Sequence, residues 1–218
     1  MNILIDFCNQ AEWSPDTIGG IYRRYGIKHT AQGDADSVES FSASRHLPGI
    51  CFNFANLERG KAILDEQVAN LTEEAAKKCR KFWLFPGDED FPRIFEALAK
   101  SQAEYRAFLD ECTRGNLDLN FVNSRIAMLN NENQNYKVKF EPGATTWNPS
   151  LWLFPQSIRS IEEYIDAYGI IFPLYRGEGD MFSLTMKCKH CGNYFFAKTK
   201  RAEFCKDQCR KDHFKSKK

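Results

Sequence analysis

Over residues 57–85 the apolar positions Ile63, Leu64, Val68, Leu71, Ala75 and Cys79 recur at spacings of three and four with charges between them. That is the repeat of a helix burying one face, and Pro86-Gly87 ends it. A second stripe opens at Pro92 and runs through Phe95, Leu98, Tyr105, Phe108, Leu109 and Cys112, with Gly115 placed to close the helix. A third helix is predicted over 117–129, burying Val122, Ile126 and Leu129. Nearer the start, the apolar residues 1–9 read equally as a short strand or the beginning of a helix. Ser14-Pro15 then supplies an N-cap and a first-turn proline for another helix, in which Gly19-Gly20 is a weak point. Residues 29–46 are polar and read as a loop, followed by an apolar patch at 50–54.

Past position 130 the period drops to two. Tyr136 to Phe140 alternates, Pro142-Gly143 turns and Leu151 to Phe154 is apolar, which predicts a β-hairpin. Ser157 is placed to cap a further helix carrying Ile158, Ile161, Tyr164, Ile165 and Tyr168, ending before Pro173. A turn at 177–180 is the expected hinge to the tail. The fold class predicted is mostly α with a small β-hairpin (α+β): a helical body, 1–182, and a C-terminal finger, 183–218.

That tail carries half of the eight cysteines, as Cys188-Lys-His-Cys191 and Cys205-Lys-Asp-Gln-Cys209 with thirteen residues between. A CxxC turn aims two sulfurs at one point, and cysteines four apart on a helix share a face. Cys188, Cys191, Cys205 and Cys209 are therefore the expected ligands of one structural zinc ion. With four thiolates around the metal no position remains for water or substrate, so the site holds a fold together instead of activating a nucleophile. Phe195, Phe196 and Phe204 are the expected core of the module. His190 and His213 are left out of the ligand set because four sulfurs suffice. Cys8, Cys51, Cys79 and Cys112 are scattered in apolar contexts and read as reduced core thiols.

At 218 residues the chain has room for one sizeable core and an appendage. It contains no run of eighteen apolar residues and no basic-then-apolar N-terminus, so a membrane span and a signal peptide are not expected and the location predicted is cytoplasmic. Asp6, Glu111, His29 and His46 are not placed together by any motif. A phosphate-cradling glycine loop, an HExxH helix and a nucleophile elbow are all missing, so no catalytic residue is assigned.

Net charge of +1 hides an asymmetry. Residues 187–218 hold eleven Lys and Arg against three acids, a surplus of eight, which leaves −7 on the remainder. A zinc tetrathiolate would lower the tail to +6. On a helix, Lys206, Arg210, His213 and Lys217 fall at spacings of four, three and four beside the metal-facing side, with Lys211 on the same segment. Lys198, Lys200 and Arg201 lie in the connection between the cysteine pairs. A basic module on an acidic body predicts a polyanion partner, a nucleic acid held mainly through phosphates, with Arg210 the best placed to read a base edge. The alternative is a protein–protein interaction module whose finger is only a structural clamp and whose charges are a solvated face.

The order of these features resembles the CGNR zinc-finger proteins of bacteria, whose N-terminal part is called the ABATE domain. Ile5-Asp6-Phe7-Cys8-Asn9 resembles that family's leucine-aspartate-phenylalanine-x-asparagine start, and Tyr105-Arg106-Ala107-Phe108-Leu109, Asn123 and Leu129-Asn130 resemble its central helices. At the last ligand the chain departs from the family pattern, since Cys209 is followed by Arg210-Lys211-Asp212 and not by Gly-Asn-Arg. Phe204-Cys205-Lys-Asp-Gln-Cys209-Arg210 is similar to a broader set of treble-clef fingers. The resemblance implies a transcription regulator with a DNA-binding finger and a sensor-like body open to a small-molecule effector.

Overall fold

A computed structural model describes residues 2–25, 91–133 and 160–216, together with the single positions 69, 72 and 73. The loop at 29–46, the patch at 50–54, the helix at 57–85, the hairpin at 136–154 and the Ser157 cap lie outside the described residues, as do Cys51, Cys79, His29, His46 and Lys217. The described chain is mostly helical, with one antiparallel pair of strands near the C-terminus, as the mostly-α reading requires.

Residues 1–9 resolve as helix α1, Ile3–Cys8, because Asn2 caps it: the Asn2 side chain accepts from the Leu4 N–H. Helix α2, Pro15–Tyr25, starts where the Ser-Pro pair predicts, and the Ser14 hydroxyl accepts from the Thr17 N–H. Helix α3, Phe91–Thr113, buries Leu98, Tyr105, Phe108, Leu109 and Cys112 of its predicted stripe, whereas Phe95 is half-buried. It ends at Gly115, whose φ of +81° is the left-handed conformation that favours glycine. Helix α4, Leu119–Asn133, buries Val122, Ile126 and Leu129 as expected, and is capped by Asp118, which accepts from the N–H groups of Asn120 and Phe121.

Helix α5, Ile161–Tyr164, runs on as a π-helical stretch, Ile165–Ile171, and then as α6, Phe172–Tyr175. Helical structure therefore passes through Pro173 rather than stopping before it. π-helical turns are rare, and where they occur they mostly interrupt α-helices in this way. After a turn with Gly177 at φ +75° come α7, Asp180–Ser183, strands β1, Thr185–Lys187, and β2, Tyr194–Phe196, and α8, Asp207–Lys215. The strands pair in the register Thr185 with Phe196 and Lys187 with Tyr194.

Two compact units emerge, one of 11–101 with 157–164, the other of 1–10, 102–156 and 165–218. In the first, Ile18, Ile21, Tyr22, Ile94, Leu98 and Ile161 are buried. There the Ser101 hydroxyl donates to buried Glu162 at 2.7 Å. Burial, followed by the nearby Glu162 charge, pushes the Tyr22 hydroxyl well above its ordinary pKa.

In the second unit, α1 is fixed at its C-terminal end. The Gln102 amide donates to the carbonyls of Phe7 (2.8 Å) and Gln10 (2.9 Å), and the Arg106 guanidinium to those of Cys8 (2.8 Å) and Gln10 (3.1 Å), which satisfies the open C-terminus of a six-residue helix. Tyr105, fully buried, donates to buried Asp166 at 2.7 Å. Arg125 is 5% exposed, pairs with Glu104 at 2.6 Å and lies 4.4 Å over the Phe121 ring. Phe108 stacks on Phe121 and meets Phe182 edge-on.

Gly169 lets α1 approach. A Cβ there would stand 3.1 Å from Leu4 Cβ, 3.2 Å from Ile3 Cγ2 and 3.4 Å from the Leu4 backbone nitrogen, none of which is a free side-chain end. Gly169→Ala is expected to destabilise the protein by about 1–3 kcal/mol through overpacking. Chemical denaturation checks it, and a midpoint equal to wild type would contradict the close packing.

Candidate metal centre

The frame of the site is the β1–β2 hairpin and the start of α8. Cys188 follows β1, Cys191 lies in the turn and Gly192, at φ +74°, lets the chain reverse into β2. The Gly192 N–H donates back to the Cys188 carbonyl at 2.9 Å, and the Cys188 N–H to the Asn193 carbonyl at 2.9 Å, so the knuckle is hydrogen-bonded within itself. Cys205 does not sit in the helix, as the i, i+4 reading expects. Lys206 is extended (φ −157°, ψ 160°) and serves as the N-cap residue, so α8 starts at Asp207 and only Cys209 is helical. The Lys189 N–H donates to the Glu203 carbonyl at 3.0 Å and the Lys189 ammonium meets the Glu203 carboxylate at 2.5 Å, bringing the second pair beside the first.

The four sulfurs of Cys188, Cys191, Cys205 and Cys209 all lie within 4.8 Å of one another. Cys191 and Cys205 are 3.7 Å apart and Cys205 and Cys209 3.5 Å. Among the described residues this is the only group of three or more Cys, His, Asp or Glu placed to hold a metal ion. Cys188 and Cys209 are buried, Cys205 half-buried and Cys191 exposed.

The thiols differ in acidity. Burial raises Cys188, but backbone hydrogen bonds from Cys191, Cys205 and His190 and the Cys191 side chain outweigh it and bring the thiol down to about 6. Cys205 is raised, first by burial and then by its hydrogen bonds to Cys209, Cys188 and Cys191. Cys209 is raised as well, with burial the largest cause. Protonated Cys205 and Cys209 must release their protons to bind a cation, so metal affinity is expected to rise with pH through neutrality and on into the alkaline range, because both thiols are raised above their ordinary value. Cys188 contributes less to that release, being already a thiolate near neutrality. Calorimetry in buffers of differing ionisation enthalpy reads the protons displaced; a pH-independent affinity would contradict the assignment.

Cys8 and Cys112 are buried, uncrosslinked thiols. Burial pushes the Cys8 thiol far up and Cys112 up to about 12, so both are inert core groups. Of the finger's phenylalanines, Phe195, Phe196 and Phe204 are only half-buried, and the module's buried side chains are Thr185, Tyr194, Ala197 and the two inner cysteines. The reason is where β2 docks. The Asn9 amide accepts from the Tyr194 N–H and donates to the Tyr194 carbonyl, both at 2.8 Å, completing the strand's pairing like a neighbouring peptide unit. The Tyr194 hydroxyl donates to Asp110 at 2.8 Å, and Lys187 meets Asp110 at 3.3 Å with its ammonium 4.8 Å from the Tyr194 ring. Phe196 meets Phe182 edge-on at 5.9 Å. The sequence marks none of these three anchors, since the residues are up to 185 positions apart.

The basic residues are placed as follows. Lys198, Lys200, Arg201, Lys206, Arg210 and Lys211 are exposed, and none forms an ion pair among the described residues. Because Lys206 precedes α8, the stripe within the helix reduces to Arg210, Lys211 and His213. His213 is half-buried between Phe204 (5.2 Å), Phe214 (5.6 Å) and His190 (6.3 Å). Elsewhere, Asp6 lines a cavity of about 500 Å³ with Tyr168, Phe172 and Arg176, and Glu111 bonds to Arg114 and Asn116 at the end of α3. No helix among the described residues is long and apolar enough to cross a membrane.

Compared with known proteins, the chain matches no family model, no curated protein and no solved structure. What can be said of its site therefore rests on the four clustered cysteines, which form a centre able to hold a metal ion.

Proposed function

We propose that the chain is a zinc-finger DNA-binding protein acting as a transcription regulator. The observation that carries the reading is the sulfur cluster at the root of a basic surface. Four sulfurs at about 2.3 Å from zinc in a regular tetrahedron stand about 3.8 Å apart. The separations of 3.5 and 3.7 Å lie close to that figure, and the widest pair, at up to 4.8 Å, would draw in by about 1 Å around the ion. An all-sulfur tetrahedral donor set suits zinc better than calcium, magnesium or manganese. Bound there, zinc supplies structural cohesion: Cys188 and Cys191 tie the hairpin, Cys205 the loop and Cys209 the helix, which presents Arg210 and Lys211 outward beside Lys206. Lys198, Lys200 and Arg201 extend the positive surface. The resemblance to CGNR proteins agrees with this reading, and the cavity beside Asp6, lined by residues of the body and by Phe195 and Phe196 of the finger, is a place where a small effector would fit.

A second reading is favoured by the Asn9 and Asp110 anchors of β2: a finger so firmly docked also works as a clamp for a protein-interaction surface. Titrating labelled DNA with the wild-type chain and a Lys206→Ala, Arg210→Ala, Lys217→Ala triple variant, at two salt concentrations, separates the readings. Each lost phosphate contact lowers the slope of log affinity against log salt by about 0.9 on duplex DNA, so the variant is expected to bind more weakly and with a flatter slope. Weak, salt-insensitive binding by both proteins would remove the DNA reading and leave the clamp.

A further inference from the structure

The finger's outer surface carries a feature that phosphate contacts do not use. Phe214 is 57% exposed, and only it and Met128 are large apolar side chains left in water among the described residues. Phe214 and Phe204 line an open groove of about 500 Å³ whose rim holds Arg201, Lys206 and Arg210. Of the two acids on that rim, Glu203 is neutralised by Lys189 at 2.5 Å, and Asp207 occupies the first position of α8. The Phe214 ring is also held in place, 6.1 Å from Phe204 and 5.6 Å from His213, which is itself 5.2 Å from Phe204.

An exposed, oriented aromatic ring bordered by three cations that form no ion pair among the described residues matches the combination by which unpaired strands are bound, with bases stacked on rings and phosphates tracked by basic side chains. In an intact duplex the faces of the bases are covered by their neighbours, so a ring on the protein surface has nothing to stack on. We infer that this groove takes an unpaired nucleic-acid strand, with Phe214 as the platform for one base, Phe204 buttressing it, and Arg201, Lys206 and Arg210 on the flanking phosphates. The inference rests on the nucleic-acid reading above and narrows it to strands whose bases are unstacked.

The test uses the full-length protein with its metal and fluorescein-labelled twelve-nucleotide oligothymidylate, oligouridylate and a twelve-base-pair duplex, comparing wild type, Phe214→Ala and Phe214→Trp. Wild type is expected to bind the single strands more tightly than the duplex. Phe214→Ala loses about tenfold in affinity for them, the usual size of one base-stacking contact, with no change on the duplex. Phe214→Trp restores binding, and excess single strand quenches its indole fluorescence. The DNA and RNA arms show whether the sugar matters. If Phe214→Ala binds single strands as wild type does while the duplex is still held in a salt-dependent way, stacking is overturned and the broader reading stands. If neither duplex nor single strand binds, both fall. Loss of a dimer in Phe214→Ala, seen by sedimentation, would put a second copy of the chain in the groove and overturn the inference.

Discussion

Removing the metal with a strong chelator is expected to unfold residues 185–215 while leaving α3 and α4 protected. Two three-residue strands and a nine-residue helix are too little structure to persist alone. Apart from Tyr194, Ala197 and Thr185, the module's buried side chains are the candidate ligands Cys188 and Cys209 themselves. Apparent binding energies for structural zinc in small fingers are about 10–16 kcal/mol near neutral pH, far more than any other contact here. Hydrogen exchange read by mass spectrometry should show the segment 185–215 losing protection on chelation and regaining it when zinc is restored. Cys191→Ser, at the exposed ligand, should reproduce part of the loss. Unchanged protection without metal would mean that the Asn9, Asp110 and Phe182 contacts suffice to hold the finger.

The second largest effect expected is at Asn9. Its amide serves both the N–H and the carbonyl of Tyr194, each at 2.8 Å. Truncation leaves two partly buried backbone groups without a partner, and an unmet buried group costs about 1–3 kcal/mol. Because the site is only partly screened from water, we expect Asn9→Ala to cost about 2–3 kcal/mol in all. The loss should fall on the docking of β2, so chelation should unfold the finger at lower chelator concentration in the variant. Asn9→Asp keeps the acceptor and loses the donor, and should fall between the two proteins. A variant as stable as wild type, with unchanged exchange at Tyr194, would show that the clamp contributes nothing.

Local signals were the ones the sequence carried. The helical stripe through Leu98, Tyr105 and Leu109, the Ser14-Pro15 start and the Gly115 stop depend on neighbours within a few positions, and all three appear as read. The cysteine spacing is of the same kind, because a knuckle and a helix turn are each set by a few residues. Contacts between distant segments were silent. Asn9 with Tyr194, Arg106 with the end of α1 and Tyr105 with Asp166 join positions that no periodicity relates. Asp166 and Glu162 would pass for solvent-facing acids in a helix, yet both are buried because a hydroxyl from α3 meets each of them. The displaced start of α8 has a different cause. Four-residue spacing suits either a helix or a loop followed by a helix turn, and the extended backbone at Lys206 makes it the second.

The most direct measurement is metal content and ligand set together: elemental analysis of the purified full-length protein with X-ray absorption at the zinc edge. One zinc per chain with four sulfur neighbours at about 2.3 Å, falling to a three-sulfur shell in Cys209→Ser, is the result predicted. A finger that stays folded without metal, or an ion surrounded by oxygen and nitrogen, would contradict it.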